Sequence, residues 1–453
     1  MPTVEEYGVE PIPAELRTVG WRDLFAINFT FFLNPVMYLL GAFAVIDGGL
    51  PLLWAVAAMV VGQALAYALL VIVAEPGVDD GLPGQVAMRA HLGYWGARLL
   101  SSPYRVLAST YWFAAQALTA GLGAQAIVAA MTGRDLPLVP TALAFALLHA
   151  TFAVLGFDVM RWLLRLVLPV SLAFTGIIVA LYVNSSDPRY DVGRVFDSPE
   201  QSLTWVGFAT YVTVMCGASL TLVTNVADFC RYTPTRREMR IGLTASALAA
   251  AVVTTWVGGY AAVATGEVNP FVALAELTSS ELLLMLLLIA IVVQGLAANT
   301  TNVYTSGLSV VNTLPRLGRL RATLLAAVAA VALSAFPGFV NDAQAWVTHL
   351  GNLAAPLTGV VLADYLVVKR RRIDVSGLFD PAGPYRYAKG VNVAAIVAVG
   401  VGVAVYYAVP ASWVKVAWGV LVAGLVYLVC RWIGHVAVTG EAEQPLPVPP
   451  RGE

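Results

Sequence analysis

Long apolar stretches, each bounded by glycine, proline or charged residues, dominate this sequence and limit what it can fold into. A helix that crosses a bilayer needs roughly 20 mostly apolar residues. Hydrophobic residues make up 59% of the chain and charged residues 12%, about half the charged share of a soluble domain. A water-soluble fold is therefore excluded. The stretches number twelve and lie at residues 24–46, 51–74, 104–131, 136–157, 162–184, 203–227, 241–264, 281–312, 321–337, 343–367, 390–409 and 412–433. They predict an all-α polytopic membrane protein with twelve transmembrane helices.

The positions of lysine and arginine predict an orientation, because cytoplasmic loops carry an excess of both. With twelve spans and the N-terminus inside, only Arg134, Arg189, Arg194 and Lys415 of the 26 basic residues fall outside. We therefore expect both termini in the cytoplasm and the protein in a bacterial-type inner membrane. The formal net charge of −1 gives no basis for nucleic-acid binding.

Two of the predicted spans are interrupted. Asn34-Pro35 lies at the centre of the first span, and Cys216-Gly217-Ala218-Ser219 lies within the sixth. Lipid cannot satisfy the backbone groups that a broken helix exposes, so such breaks persist around a cavity. The number of residues between the two interruptions is nearly equal to the number of residues between the polar cluster of the third span and that of the eighth. Two five-helix repeats of inverted topology would produce this spacing.

This reasoning divides the chain into two repeats followed by two C-terminal helices. The predicted parts are a cytoplasmic segment (1–23), a first repeat (24–184), an extracellular loop (185–202), a second repeat (203–367), a cytoplasmic loop (368–389), helices 11 and 12 (390–433) and a cytoplasmic tail (434–453).

One face of the third span carries residues suited to a flat, polar ring. Trp112, Gln116, Thr119 and Gly123 follow one another at steps of four, three and four, so they share a helix face. A heterocycle can stack on Trp112 while Gln116 offers a donor and an acceptor together. The alternative is structural: Trp112 packs between helices and Gln116 bonds across them.

The eighth span has a run of polar side chains between Ala297 and Ser306. Hydroxyls and amides at this density are costly in hydrocarbon unless they meet a ligand, an ion or water. The hydroxyls of Thr300 and Thr301, with carbonyls freed at the break of the first span, predict an oxygen site for Na⁺. The alternative is interhelical hydrogen bonding alone.

Asp228 and Arg231 close the sixth span, where Asp228 acts either as part of a gate or as an interfacial residue. No cluster of nucleophile and base and no metal set is visible, which disfavours an enzyme, and no filter repeat supports a channel. The cysteines lack the spacing of a metal site. No carboxylate pair of the proton-relay type lies within a span, which weakens coupling to H⁺ without excluding it.

Several motifs together resemble one family of transporters. They are Gly8-Val9-Glu10-Pro11-Ile12-Pro13, Trp112-Phe113-Ala114-Ala115-Gln116, Ala227-Asp228-Phe229-Cys230-Arg231-Tyr232, Gly359-Val360-Val361-Leu362-Ala363-Asp364-Tyr365-Leu366 and Gly383-Pro384-Tyr385-Arg386-Tyr387. The family is the nucleobase-cation symport-1 transporters, which include cytosine, purine, uracil, allantoin and hydantoin permeases. The first of these motifs is similar to the purine-cytosine branch, and the second and last are similar to the allantoin and hydantoin branch.

The resemblance implies roles for particular residues. It implies stacking on Trp112, amide recognition by Gln116 and by Asn299 or Asn302, and a sodium site at Ala297, Thr300 and Thr301. Family members often have an aromatic residue nine positions before the aspartate of the sixth span, where this chain has Ser219. The second aromatic wall is then either missing or supplied by Phe32 or Phe208. Asn34 and Gly217 complete the predicted site at the two breaks.

We therefore expect a secondary active transporter that imports a cytosine- or purine-like nucleobase with Na⁺ by alternating access. The alternatives are coupling to H⁺, or a substrate of the allantoin, hydantoin or uracil type. The expected partners are this small heterocycle and the lipid bilayer. We expect a monomer, and no cofactor other than the coupling ion.

Overall fold

The computed structural model describes residues 8–154, 157–338 and 343–438. These residues form helices and connecting loops, with one isolated bridge between Ala388 and Val391. The prediction of an all-α protein is confirmed.

Nineteen helices are numbered here in chain order within the described ranges. The first ten are α1 (Trp21–Phe32), α2 (Pro35–Ile46), α3 (Leu52–Val73), α4 (Glu75–Asp80), α5 (Gly84–Leu92), α6 (Tyr94–Gly96), α7 (Ser102–Thr132), α8 (Leu138–Val154), α9 (Phe157–Val183) and α10 (Val192–Asp197). The others are α11 (Trp205–Leu220), α12 (Val226–Cys230), α13 (Arg236–Thr265), α14 (Pro270–Leu277), α15 (Glu281–Thr313), α16 (Gly318–Leu333), α17 (Ala343–Leu362), α18 (Val393–Ala408) and α19 (Lys415–Val438).

Several of these helices, with their continuations, are long and apolar enough to cross a membrane. In the described part of the chain there are seven, at Leu52–Asp80, Tyr94–Thr132, Trp205–Thr224, Arg236–Thr265, Glu281–Thr313, Ala345–Val368 and Lys415–Ile433. The pair α1 and α2 makes an eighth if it is counted as one bent span. Shorter apolar helices lie at Leu138–Val154, Val167–Val183 and Val393–Ala408. With α16, helices occupy every one of the twelve predicted stretches.

The first span is broken where Asn34-Pro35 predicts, and α1 and α2 meet at 61°. Pro35 has no N–H, so it cannot donate to the Phe31 carbonyl as a helical residue would. The side chain of Asn34 supplies the missing hydrogen bond, because its Nδ2 donates to Phe31 O at 2.7 Å. Its Oδ1 accepts from Met37 N at 3.0 Å and caps the start of α2. One side chain therefore satisfies both ends of the break.

The sixth span is interrupted later than predicted. Helix α11 continues through the Cys216–Ser219 segment to Leu220, and the α-helical pattern then gives way to a 3₁₀ turn at Thr221–Thr224. The small residues serve close packing instead, since a Cβ added to Gly217 would lie 3.3 Å from the Gly351 Cα. The chain resumes as α12 after Asn225, which has φ −146° and ψ 2°.

Packing brings the interrupted spans to the polar helix faces. Helix α7 lies along α15, and α13 packs against α1, α2 and α3. Helix α1 contacts α15, and the Thr221–Thr224 turn contacts α7. The breaks of the first and sixth spans therefore meet the polar faces of the third and eighth.

A buried carboxylate joins three distant segments at the end of the molecule that carries α4. Glu75 is fully buried and accepts from Arg236 at 3.0 Å, Arg240 at 2.7 Å and Arg371 at 3.1 Å. The Tyr365 hydroxyl donates to it at 3.2 Å. The cluster ties α4 to the start of α13 and to the segment after α17.

Candidate functional site

A small internal cavity lies where the two breaks meet α7 and α15. It is lined by Phe31, Phe32, Asn34, Met37, Trp112, Gln116, Ala218, Thr221, Leu222 and Asn302. Its volume is about 20 Å³, which is room for about one water molecule. The structure brings together here five residues that the sequence assigns to the substrate site, namely Phe32, Asn34, Trp112, Gln116 and Asn302.

The cavity offers few polar groups whose hydrogen-bonding capacity is still open. Gln116 is 2% exposed, and its Oε1 has no hydrogen-bond partner among the described residues. Asn302 Oδ1 accepts from Arg105 at 3.0 Å, whereas its Nδ2 donates to no described residue. Gln116 Nε2 likewise donates to no described residue. Asn34 uses both of its side-chain groups in the break, and Thr221 Oγ1 donates to Ala218 O at 2.6 Å. One amide acceptor and two amide donors therefore remain for a ligand.

Aromatic rings form the apolar part of the lining. Phe31 and Phe32 meet edge to face with their centroids 5.1 Å apart, and Phe31 also contacts Phe229. Trp112 is 6% exposed on the α7 face that carries Gln116. Phe208, the alternative second wall, packs instead against Trp54 and Trp205. The rings beside Trp112 in this cavity are thus those at the end of α1.

Three residues of the predicted substrate site lie outside the cavity lining. Ser219 Oγ donates to Gln63 Oε1 at 2.6 Å. Gly217 packs on Gly351. Asn299 Nδ2 donates to His149 Nδ1 at 3.0 Å. Of the two asparagines that compete for one role in the eighth span, the structure therefore brings Asn302 to the cavity.

The predicted sodium ligands carry hydroxyl and carbonyl oxygen atoms. The Thr300 hydroxyl is buried and has no hydrogen-bond partner among the described residues. Thr301 Oγ1 donates to Ala297 O at 3.0 Å. At the end of α1, Asn34 N donates to Phe32 O at 2.9 Å, which interrupts the helical hydrogen-bonding pattern. Hard cations prefer oxygen ligands of this kind, so the residues fit the ion.

Asp228 and Arg231, the predicted gate, are both buried. Asp228 Oδ1 accepts from Gly84 N at 2.7 Å, at the start of α5, where the helix dipole favours an anion. Arg231 Nη1 donates to Gly8 O at 3.0 Å. The two residues thus connect α12 to α5 and to the N-terminal segment.

Sequence reasoning missed several lining residues: Phe31, Met37, Ala218, Thr221 and Leu222. They are direct neighbours of the two breaks, so a search that placed residues on either side of each break at the site would have found them. Sequence reasoning also counts Arg105 only among the basic residues of the cytoplasmic side, at the start of the third span. The structure buries Arg105 completely within α7.

Comparison with known proteins extends over nearly the whole chain. The family model for permeases of cytosine/purines, uracil, thiamine and allantoin matches residues 11–434. The hydantoin permease of Microbacterium maritypicum is 26% identical over 87% of this chain and 82% of its own length. The purine-uracil permease of Arabidopsis thaliana is 24% identical over 89% of this chain and 71% of its own.

Similarity to solved structures concerns the fold. The transporter Mhp1 of the nucleobase-cation-symport-1 family, in a closed conformation with bromovinylhydantoin bound, superposes with a TM-score of 0.82. The two chains are 22% identical, and the match covers 96% of this chain and 97% of the other. The chain therefore has the fold of that transporter. Its relatives are permeases and not enzymes, as the sequence predicted. With the family model matched from residue 11 to residue 434, the chain belongs to the nucleobase-cation-symport-1 family of permeases.

Proposed function

We propose that the protein is a secondary active transporter that imports a small planar heterocycle of the nucleobase type together with Na⁺. The observation that carries this proposal is the cavity at the break of the first span, where Gln116 Oε1 is buried without a partner. A buried acceptor left unpaired costs free energy, and a ligand N–H would recover it.

The substrate class follows from the groups that remain open. Gln116 Oε1 accepts and Asn302 Nδ2 donates, so they complement a ring edge that carries an N–H beside a C=O or ring nitrogen. Trp112, Phe31 and Phe32 provide apolar surfaces for the faces of the ring. Cytosine, purines and uracil have such edges, and so do hydantoin and allantoin. Hydantoin is the second candidate, because a hydantoin permease and a transporter with bromovinylhydantoin bound are among the similar proteins.

Transport requires the site to change shape. A nucleobase is several times larger than the single water molecule that fits the cavity, so the surrounding elements must separate to admit it. The break at Asn34 and the turn at Thr221–Thr224 are the irregular segments beside the cavity. We propose that they move relative to α7 and α15 during alternating access between two inverted five-helix repeats.

We further propose that Na⁺ binds at Ala297, Thr300 and Thr301 with backbone carbonyls near Asn34. The buried, unpartnered hydroxyl of Thr300 supports this assignment, because an isolated hydroxyl in a membrane span is otherwise costly. The distribution of basic residues supports twelve spans with both termini in the cytoplasm. Within this scheme Asp228 and Arg231 belong to the cytoplasmic gate.

Uptake into proteoliposomes tests the proposal. The labelled panel contains cytosine, uracil, hypoxanthine, hydantoin and allantoin, with an inward Na⁺ gradient and an inward H⁺ gradient imposed in turn. We expect accumulation of at least one compound above equilibrium, driven by Na⁺. Accumulation that follows only the H⁺ gradient would refute sodium coupling. A chemically altered product, or no transport of any compound, would refute the proposed function.

A further inference from the structure

A completely buried arginine lies next to the candidate site. Arg105 Nη2 donates to Asn302 Oδ1 at 3.0 Å and to Thr305 Oγ1 at 3.1 Å. Its Nε and Nη1 have no hydrogen-bond partner among the described residues. Both oxygens that it contacts are neutral, and the acidic group that acts on it electrostatically is Asp228. A cation held this way inside an apolar protein is expensive, so it calls for a functional reason.

The position of Arg105 connects it with the cavity. On α7 it precedes Trp112 by seven residues and Gln116 by eleven, which places all three on one side of the helix. On α15, Asn302 lines the cavity and Thr305 lies about one turn further along. Asn302 therefore stands between the guanidinium and the space that a ligand would occupy.

This contact determines which end of the Asn302 amide faces the cavity. A guanidinium has only donors, whereas an asparagine amide has an acceptor oxygen at one end and a donor nitrogen at the other. If the amide were turned over, Nδ2 would face the N–H groups of Arg105, and two donors would oppose each other. The oxygen is accordingly held by Arg105, and the nitrogen is left without a described partner.

We propose that Arg105 is a positioning residue for substrate recognition, which locks the Asn302 amide with its nitrogen toward the ligand. The inference rests on the proposed function and deepens it. Asn302 then selects ligands that present an acceptor, such as a ring carbonyl, at this edge, while Gln116 Oε1 pairs with the neighbouring N–H. Without Arg105 the amide can rotate, and the site loses its preference for an acceptor there.

The test compares oxygen and sulfur analogues of one ligand, because a thiocarbonyl is a much weaker acceptor than a carbonyl. Uracil is measured against 2-thiouracil and 4-thiouracil, and hydantoin against its two thio analogues, by competition with uptake of the transported parent compound. For the wild type we expect one thio position to weaken apparent affinity by about fivefold to tenfold, the value of one hydrogen bond. Arg105→Met should reduce this ratio to about one, and Arg105→Lys should retain part of it.

Two further variants separate positioning from a general structural role. Thr305→Val removes the other contact of Arg105 and should keep the wild-type ratio. If Arg105→Met does not fold, as judged by size-exclusion chromatography, Arg105→Gln replaces it. The glutamine amide accepts as well as donates, so the orientation of Asn302 is again unlocked and the ratio should fall.

The outcomes distinguish this proposal from the one on which it rests. If the wild type transports none of the five compounds of the uptake panel, both the proposed function and the role of Arg105 are refuted. A wild type that transports, without oxygen–sulfur discrimination at any position, contradicts the role of Asn302 as a donor. Folded variants without the guanidinium that transport more slowly, yet keep the wild-type ratio, would leave Arg105 a structural residue and overturn the proposal.

Discussion

Replacing Gln116 with methionine should have opposite effects on the free protein and on its response to ligand. Methionine has a similar length and shape but no polar oxygen. In the free protein the substitution removes a buried acceptor that has no partner among the described residues. Relief of an unsatisfied buried group is worth about 1–2 kcal/mol. For a chain of 453 residues, this corresponds to a rise in the unfolding temperature of about 1–2 °C.

The ligand-induced stabilisation should change in the other direction. At a ligand concentration of about 100 times Kd, the wild type gains about 2.7 kcal/mol. Loss of the Gln116 hydrogen bond, with a ligand N–H left unpaired, costs about 2–3 kcal/mol, which raises Kd by about 30- to 150-fold. At the same concentration the stabilisation of Gln116→Met should then fall below about 1 kcal/mol.

Tryptophan fluorescence during thermal unfolding in detergent, with and without the transported compound, measures both effects. Gln125→Met is the matched control, because Gln125 lies on the same helix, outside the cavity lining, and donates to Leu136 O. Gln125→Met should not raise the unfolding temperature of the free protein, and it should keep the full ligand-induced stabilisation. A destabilised Gln116→Met, or one that keeps the wild-type ligand response, would show that the reasoning about this site is wrong.

Three other predictions concern the ion, the charge cluster and pH. Thr300→Val should raise the Na⁺ concentration for half-maximal uptake at least tenfold with little loss of stability, since the hydroxyl has no described hydrogen bond. Glu75→Gln should lower the free energy of unfolding by about 2–3 kcal/mol, less than the largest buried-pair losses, because its arginines are 35–46% exposed and can regain water. Asp79→Asn removes only a partly exposed partner of one arginine. It should therefore lower the free energy of unfolding by less than Glu75→Gln does, as measured by thermal unfolding. Burial lowers the pKa of His91 from 6.5, against the opposing effect of Asp364. The unfolded state then binds more protons than the folded state, so the free energy of unfolding should decline as pH falls below about 6.5. Melting curves recorded over a range of pH should show a weaker dependence for His91→Gln.

Each of these predictions has a control and a contrary result. Thr313→Val, on the same helix but hydrogen-bonded to Arg98 O at 3.0 Å, should leave Na⁺ dependence unchanged. A Thr300→Val protein with wild-type Na⁺ dependence removes that residue from the ion site. Equal losses for the Glu75 and Asp79 variants would contradict the special role of the buried carboxylate. His349→Gln should retain the wild-type decline with pH, and a His91→Gln protein that also retains it would assign the decline to other groups.

The sequence predicts the helices well because hydrocarbon imposes a minimum length and a nearly uniform composition on each span. It also predicts the break at Asn34-Pro35, since a proline without an N–H interrupts any helix regardless of its neighbours. The α7 face is equally accessible to prediction: a helix turns by a fixed angle per residue, so Trp112 and Gln116 must share a side.

Other features depend on tertiary contacts that no local pattern contains. The run Cys216-Gly217-Ala218-Ser219 suits either a break or close packing, and only the approach of Gly351 decides for packing. Asn299 and Asn302 are three residues apart and therefore lie on nearby faces of one helix. Which one reaches the cavity depends on how α15 is rotated against α7, and the contact of Asn299 with His149 reflects that rotation.

The way Asn34 closes the break bears on how such a transporter can acquire new substrates. Its two hydrogen bonds reach only to Phe31 O and Met37 N, both backbone atoms within the same short segment. No neighbouring side chain is needed to keep the break intact. Mutations of the side chains at Phe31, Phe32 or Met37 can therefore reshape the pocket without loss of the hydrogen bonds that hold the break. The substrate range can then diverge between related transporters while the broken helix itself is conserved.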